Sequence, residues 1–160
     1  MTVINIKGYK VKIDDDIAPL VRARTWHIAD RKRGIYFATS VKHPDGKSRD
    51  IKLHRFIMSC PPGSVVDHIN GNWLDCRREN LRICTNAENS RNVSIKRTNT
   101  TGFKGVSFAP KRRKYRASIR INGKYKYLGY FDTPEAASNA YQKAAKELFG
   151  EFYRKEAAAV

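Results

Sequence analysis

Asp67 and His68 stand side by side at the close of an apolar stretch, and two asparagines, Asn80 and Asn89, follow further along the chain. A carboxylate and an amide oxygen are ligands for a hard divalent cation, and a neutral imidazole takes a proton from water. Together these are the parts of a one-metal phosphodiesterase site.

The elements that must hold them are readable around each residue. Val65 and Val66 favour a strand and Asn70-Gly71 is a turn signal, so Asp67 and His68 sit where the strand ends. Leu81 and Ile83 alternate about Arg82 with the period of a half-buried strand. Asn80 opens that return strand and comes close to His68 when the two strands pair antiparallel. Thr85-Asn86-Ala87-Glu88 has the pattern of a capping box, which puts Asn89 in the first helical turn. Strand, loop, strand and helix aim four side chains at one small space.

The run Asp67-His68-x-x-Gly71-Asn72, then Glu79-Asn80-Leu81-Arg82-x-Cys84-Thr85, then Glu88-Asn89-Ser90-Arg91-Asn92 resembles the HNH endonucleases of the phage and intron-homing kind. Leu53 to Met58 is similar to the lead-in segment of that family. The resemblance implies a ββα-metal core, with Asn89 in place of the histidine of the family name. It also implies that His68 is the general base, with Asn80 orienting its imidazole. Asp67 and Asn89 would hold one divalent cation, Mg²⁺ or Mn²⁺. Arg91, in the same helix, is a candidate phosphate clamp. His54 either assists at the phosphate or packs behind the site.

Composition points to the same partner. With 32 Lys and Arg against 15 Asp and Glu, the formal net charge is +17 over 160 residues. Such a field attracts polyanions, and nucleic acid leads among them. No long apolar run suggests a membrane span. Cys60, Cys76 and Cys84 leave an odd thiol and form no Cys-x-x-Cys pair, which argues against a disulfide framework or a zinc site and fits a reducing compartment. The N-terminus lacks the apolar core of a signal peptide, and the expected location is the cytoplasm.

Ahead of the site, Tyr9, Val11 and Ile13 alternate with lysines as a strand, and Asp14 to Asp16 precede a short helix over 17–21. Strands over 26–28, 35–38 and 51–53 form a small sheet that buttresses the site. His54 to Met58 begin a helix that Pro61-Pro62-Gly63 ends. From Asn92 to Gly102 the chain turns polar, through Ser94, Lys96 and Arg97, and reads as a linker.

Beyond it, Gly105 to Phe108, Tyr115 to Arg120 and Tyr125 to Gly129 read as three strands, the last two joined by Asn122-Gly123. A helix follows, capped by Thr133, with Ala136, Ala137, Ala140, Tyr141, Ala144, Ala145 and Leu148 as its apolar stripe. If Ala117 and Ile119 face that helix, Arg116, Ser118 and Arg120 turn to the open face, joined by Tyr127. Lys104-Gly105-Val106, Tyr115 to Arg120, Tyr127 to Thr133 and the alanine-rich helix resemble the Apetala-two (ethylene-response-factor) domain. That resemblance implies DNA reading by the sheet, with Lys104, Ser107, Arg112 and Tyr125 also at the DNA.

The expected fold is α+β: a nuclease domain over 1–92 made of a small sheet and a ββα-metal core, a linker over 93–101, and a three-stranded antiparallel sheet on one helix over 102–160. The expected function is metal-dependent, site-preferring cleavage of double-stranded DNA by a homing-type or phage endonuclease, with a monomer favoured. The alternative is a DNA-binding regulator whose nuclease fold is inactive.

Overall fold

The computed structural model describes residues 1–29, 35–92, 95 and 98–153. The polar residues 30–34, the linker residues Ser94, Lys96 and Arg97, and the last residues of the chain lie outside the described residues. Two compact units, Met1–Ser90 and Arg91–Val160, make up the chain. Small antiparallel sheets and a few helices give an α+β protein.

The first unit opens with a hairpin of which the residue pattern predicts only the second strand. β1 (Thr2–Ile6) pairs antiparallel with β2 (Tyr9–Ile13), Ile6 opposite Tyr9. Lys7 and Gly8 between them both have positive φ, 51° and 90°, the backbone whose twist suits a two-residue hairpin. Ile4, Ile6, Val11 and Ile13 enter one core with Val21, Trp26, Phe37, Leu53, Val66 and Leu81. Each such aliphatic side chain fully removed from water contributes about 1.5–3 kcal/mol.

α1 (Ala18–Arg22) has no acidic residue in its first turn, so the aspartates ahead of it act as tethers. Asp15 takes the N-terminal ammonium at 2.7 Å and the Thr2 hydroxyl at 2.6 Å. Asp14 accepts the Arg78 N–H at 2.9 Å, and Asp16 accepts the Arg78 guanidinium at 2.7 Å. The backbone of β2 adds two bonds of its own, Lys12 N–H to the Leu74 carbonyl at 2.8 Å and Cys76 N–H to the Lys12 carbonyl at 2.9 Å. The N-terminal hairpin thereby fixes the segment that precedes Asn80.

β3 (His27–Ala29), β4 (Tyr36–Lys42) and β5 (Ser48–Lys52) form a sheet with β4 central. β4 and β5 run further than the apolar pattern predicts, because the turn after His43 closes a hairpin between polar strand ends. Leu53 begins α2 (Leu53–Ile57) instead of ending a strand. Ser59, at φ 46°, stops that helix ahead of the prolines, and the Arg55 guanidinium gathers the carbonyls of Cys60, Pro61 and Ser64 behind it.

In the second unit, β8 (Val106–Ala109), β9 (Lys114–Ile121) and β10 (Lys124–Phe131) form an antiparallel sheet with β9 central. Asn122 and Gly123, both at positive φ, make the β9–β10 turn. α4 (Pro134–Phe149) is capped by the Thr133 hydroxyl, which accepts the Ala136 N–H at 3.2 Å. Its buried face is Ala137, Ser138, Tyr141, Ala145 and Phe149. Leu148, predicted inside, is 42% exposed, and Phe149 takes its place one residue on. Ser138 tolerates burial because its hydroxyl accepts from the Gln142 amide at 3.1 Å.

Candidate active site

β6 (Val65–His68) and β7 (Leu81–Cys84) pair antiparallel, Asp67 opposite Arg82 and His68 opposite Leu81. A short 3-10 turn, Arg78–Asn80, leads into β7, and the Ile69 N–H donates to the Asn80 carbonyl at 2.8 Å. Asn80 therefore enters beside the end of β6. After β7, Thr85 caps α3 (Asn86–Asn89) with both halves of the capping box formed. α3 packs beside β6 and carries Asn89, half-buried, at its end. The order is strand, turn, strand, helix, with Asp67, His68 and Asn80 buried where the strands meet.

The loop between the strands is built from its own side chains. Asn70 Oδ1 accepts the Asn72 N–H at 2.7 Å, and Asn72 Oδ1 accepts the Leu74 N–H at 3.0 Å. Asp75, 3% exposed, receives Arg77 through two bonds at 2.7 and 2.6 Å. This pairing holds the Asp75 carboxyl below its usual range, with the Arg77 bond as the largest cause. Asn80 closes the loop: its amide oxygen accepts the Asn70 N–H at 3.0 Å and its amide nitrogen donates to the Asp75 carbonyl at 2.7 Å. The side chain thus grips the loop backbone, whereas the sequence reading gives it the imidazole.

His68 is walled by aromatic and sulfur groups. The His54 ring lies edge-on to it with centroids 5.2 Å apart, and Tyr36 lies 5.5 Å beyond His54. Cys76 Sγ stands 3.7 Å from His68 Nε2. Burial lowers the His68 pKa, against the pull of Asp67 and Asp75, which raise it. A lowered value keeps the imidazole neutral at physiological pH, the form a general base needs. Burial takes His54 much further, to about 3, with the charges of His68, Lys52 and Arg55 adding to it. An imidazole that stays neutral behind another ring suits packing better than a phosphate contact.

Arg82, opposite Asp67, donates to its Oδ2 through Nε at 3.0 Å and Nη2 at 2.7 Å. Asp75, Cys76, Arg77 and Arg82 are not among the residues read as functional from the sequence. Arg82 alone had a usable signal, since pairing His68 with Leu81 forces Asp67 onto Arg82. Asp67 offers a carboxylate and Asn89 an amide oxygen, hard donors of the kind a divalent cation takes. Among the described residues no group of three or more His, Cys, Asp or Glu forms a metal cage, and all three cysteines are free.

Arg91 does not share α3. That helix is a single turn closed at Ser90, whose hydroxyl donates to the Ala87 carbonyl at 2.7 Å. Arg91 belongs to the second unit, its guanidinium 4.8 Å above the Phe149 ring.

In that second unit the alternation along β9 buries Ala117 and Ile119 and exposes Arg116 and Arg120, with Ser118 half-buried between them. Across the strand pair, Arg120 faces Tyr125 and Ser118 faces Tyr127. Tyr125 and Tyr127 are 75% and 54% exposed. A bulge between Tyr127 and Gly129 shifts the register and brings Tyr130, not among the residues read from the sequence as DNA contacts, to 5.3 Å from Tyr127. Arg112 lies 4.8 Å over the Tyr130 ring, and Ser107 pairs with Arg116. Lys104 stands apart: its ammonium donates to the Arg91 carbonyl at 2.8 Å.

Comparison with known proteins bears on the first of these two regions above all. Residues 59–91, from just after α2 to just past α3, match the HNH endonuclease family. Over 152 residues the chain is 33% identical to an uncharacterized HNH endonuclease of Acanthamoeba polyphaga mimivirus, covering 91% of this chain and 74% of that protein. Over 94 residues it is 35% identical to Protein 3.8 of Escherichia phage T7, covering 59% of this chain and 77% of that one. No solved structure matches. No helix among the described residues is long and apolar enough to cross a membrane. A two-strand and helix frame that buries Asp67 and His68, and a relative aligned across nine-tenths of the sequence, lead to one assignment: the chain belongs to the HNH endonuclease family and is a DNA endonuclease.

Proposed function

We propose that the protein is a metal-dependent, site-preferring DNA endonuclease in which His68 activates the attacking water. One observation carries the reading: a buried imidazole with lowered pKa stands next to Asp67 at the end of β6, on a two-strand and helix frame. His68 removes a proton from water as the water oxygen attacks phosphorus in line. Asp67 and Asn89 would hold one divalent cation, Mg²⁺ or Mn²⁺, which when bound supplies charge stabilisation to the phosphate and the leaving oxygen. Asn80 keeps the 69–76 loop in place, and His54 with Tyr36 keeps the ring from turning away.

Site preference belongs in this reading to the second unit. Its three-stranded sheet on one helix, with Arg116 and Arg120 on the open face among Tyr125, Tyr127 and Tyr130, is the arrangement that the Apetala-two resemblance implies for reading a duplex. An arginine at such a face pairs with guanine in the major groove. The net charge of +17 supplies attraction to the backbone.

The test is cleavage of supercoiled plasmid DNA by the purified full chain, in EDTA and then with excess Mg²⁺. Loss of cleavage in EDTA and its return with Mg²⁺ is the expected result. DNA binding without cleavage under any divalent metal would instead make the protein a binding regulator on an inactive nuclease fold.

A further inference from the structure

We propose that Cys76 is a positioning residue for His68: its sulfur accepts the imidazole Nε2–H and so holds the ring in the tautomer whose Nδ1 takes the proton from water. The inference rests on the reading of His68 as general base and names the atom that does the work.

Sγ of Cys76 lies 3.7 Å from His68 Nε2 and 3.6 Å from the Trp73 carbonyl oxygen. A carbonyl oxygen only accepts, so the thiol hydrogen is directed to Trp73 and the sulfur faces the ring as an acceptor. Nε2 then carries the hydrogen. A neutral imidazole has a single N–H, which leaves the proton-accepting lone pair on Nδ1. Burial pushes the Cys76 thiol up to about 12, so it stays protonated over the working range and does not compete for the proton.

The sulfur is also held still. Cys76 is 2% exposed, its N–H donates to the Lys12 carbonyl at 2.9 Å, and the neighbouring Asp75 is clamped by Arg77. In the reaction a water O–H bond breaks as its proton moves to Nδ1. The water oxygen bonds to phosphorus, the bond to the leaving ester oxygen breaks, and that oxygen gains a proton from solvent. His68 becomes an imidazolium with both nitrogens protonated, and the Nε2–H to sulfur contact persists throughout. The wrong tautomer of a catalytic imidazole is costly even where the geometry is intact.

A buried thiol is by default inert packing, so the test needs a readout that packing does not move. The ring nitrogens of His68 are observed by NMR in the full chain with nitrogen-15 histidine, without metal or DNA, for wild type, Cys76→Ala and Cys76→Ser. Single-turnover cleavage and DNA affinity are measured on the same proteins. Wild type is expected to carry its hydrogen on Nε2. Cys76→Ala is expected to mix the tautomers and to slow cleavage by about 10-fold with DNA affinity unchanged, and Cys76→Ser to restore most of both. A wild-type hydrogen on Nδ1 overturns the proposal, and this spectrum decides even if Cys76→Ala fails to fold. So does a Cys76→Ala protein with unchanged tautomer. A changed tautomer with an unchanged rate would instead remove His68 as the base, and with it the reading on which the inference rests.

Discussion

Arg82 and Asp67 face one another across the β6–β7 pair, with both Nε and Nη2 of the arginine on a single carboxylate oxygen at 3.0 and 2.7 Å. Their side chains are 12% and 7% exposed. Breaking such a buried pair costs about 3–5 kcal/mol. Arg82→Ala is therefore expected to destabilise the first unit by that amount, read as a shift of the urea midpoint. A midpoint within 0.5 kcal/mol-equivalent of wild type, about the scatter of a surface substitution, would show that the pair is not holding the hairpin.

His54 gives the fold a dependence on pH with a defined sign. Its pKa falls from 6.5 to about 3 on folding, so between those values the unfolded chain binds more protons than the folded one. Stability from this group is complete above pH 6.5 and drains as the pH falls, at up to about 1.4 kcal/mol per unit. His54→Phe keeps a ring against His68 and Tyr36 while removing the titration. Between pH 7 and pH 5 it should lose roughly 2 kcal/mol less stability than wild type. Parallel curves for the two proteins would show that His54 titrates normally.

Gly105 is a close-approach glycine. A Cβ there would lie 2.1 Å from the Tyr141 ring and 2.8 Å from the Ser118 carbonyl, at φ +72°. Gly102 has the same φ with nothing within 4 Å. Thermal melts should therefore place Gly105→Ala roughly 2–4 kcal/mol below wild type, and Gly102→Ala only about 1 kcal/mol below it. Equal losses would mean that backbone strain, and not the α4 contact, sets the cost.

Arg116 and Arg120 project from the exposed face of β9, whereas Lys111 lies in the turn before it. An arginine bidentate to guanine gives about 1–3 kcal/mol of discrimination, and a phosphate contact weakens all sequences alike. Arg116→Ala or Arg120→Ala should relax preference at one base position in a selection from randomised duplexes. Lys111→Ala should lower affinity evenly and reduce the salt slope by about one. If all three variants select the same site, the sheet face is an electrostatic clamp.

What was legible in the sequence were features carried by short local patterns. The Thr85 capping box, the Asn122-Gly123 turn and the alternation of Ala117 and Ile119 with Arg116 and Arg120 all depend on neighbours a few residues away, and each appears in the structure. What escaped was long-range or polar. The tethers from Asp14 and Asp16 to Arg78 join residues 64 and 62 positions apart in sequence, and no periodicity announces them. β1 hid because its turn is Lys7-Gly8, with a lysine where asparagine or aspartate is the usual signal. Only the outer half of the β4–β5 hairpin hid, because Val41 is its one apolar residue among Ser40, Lys42, Ser48, Arg49 and Asp50. At the site, the Asp-His pair and the two asparagines stood out by residue type. Asp75 and Cys76 did not, because their contribution comes from contacts across a loop and not from their own reactivity.

The most direct test of the central claim is single-turnover cleavage by His68→Ala in saturating Mg²⁺, with DNA affinity measured alongside. The rate is expected to fall by roughly 10²- to 10⁴-fold, the usual share of a general base, with affinity unchanged. Cleavage by the folded variant at the wild-type rate would contradict that claim.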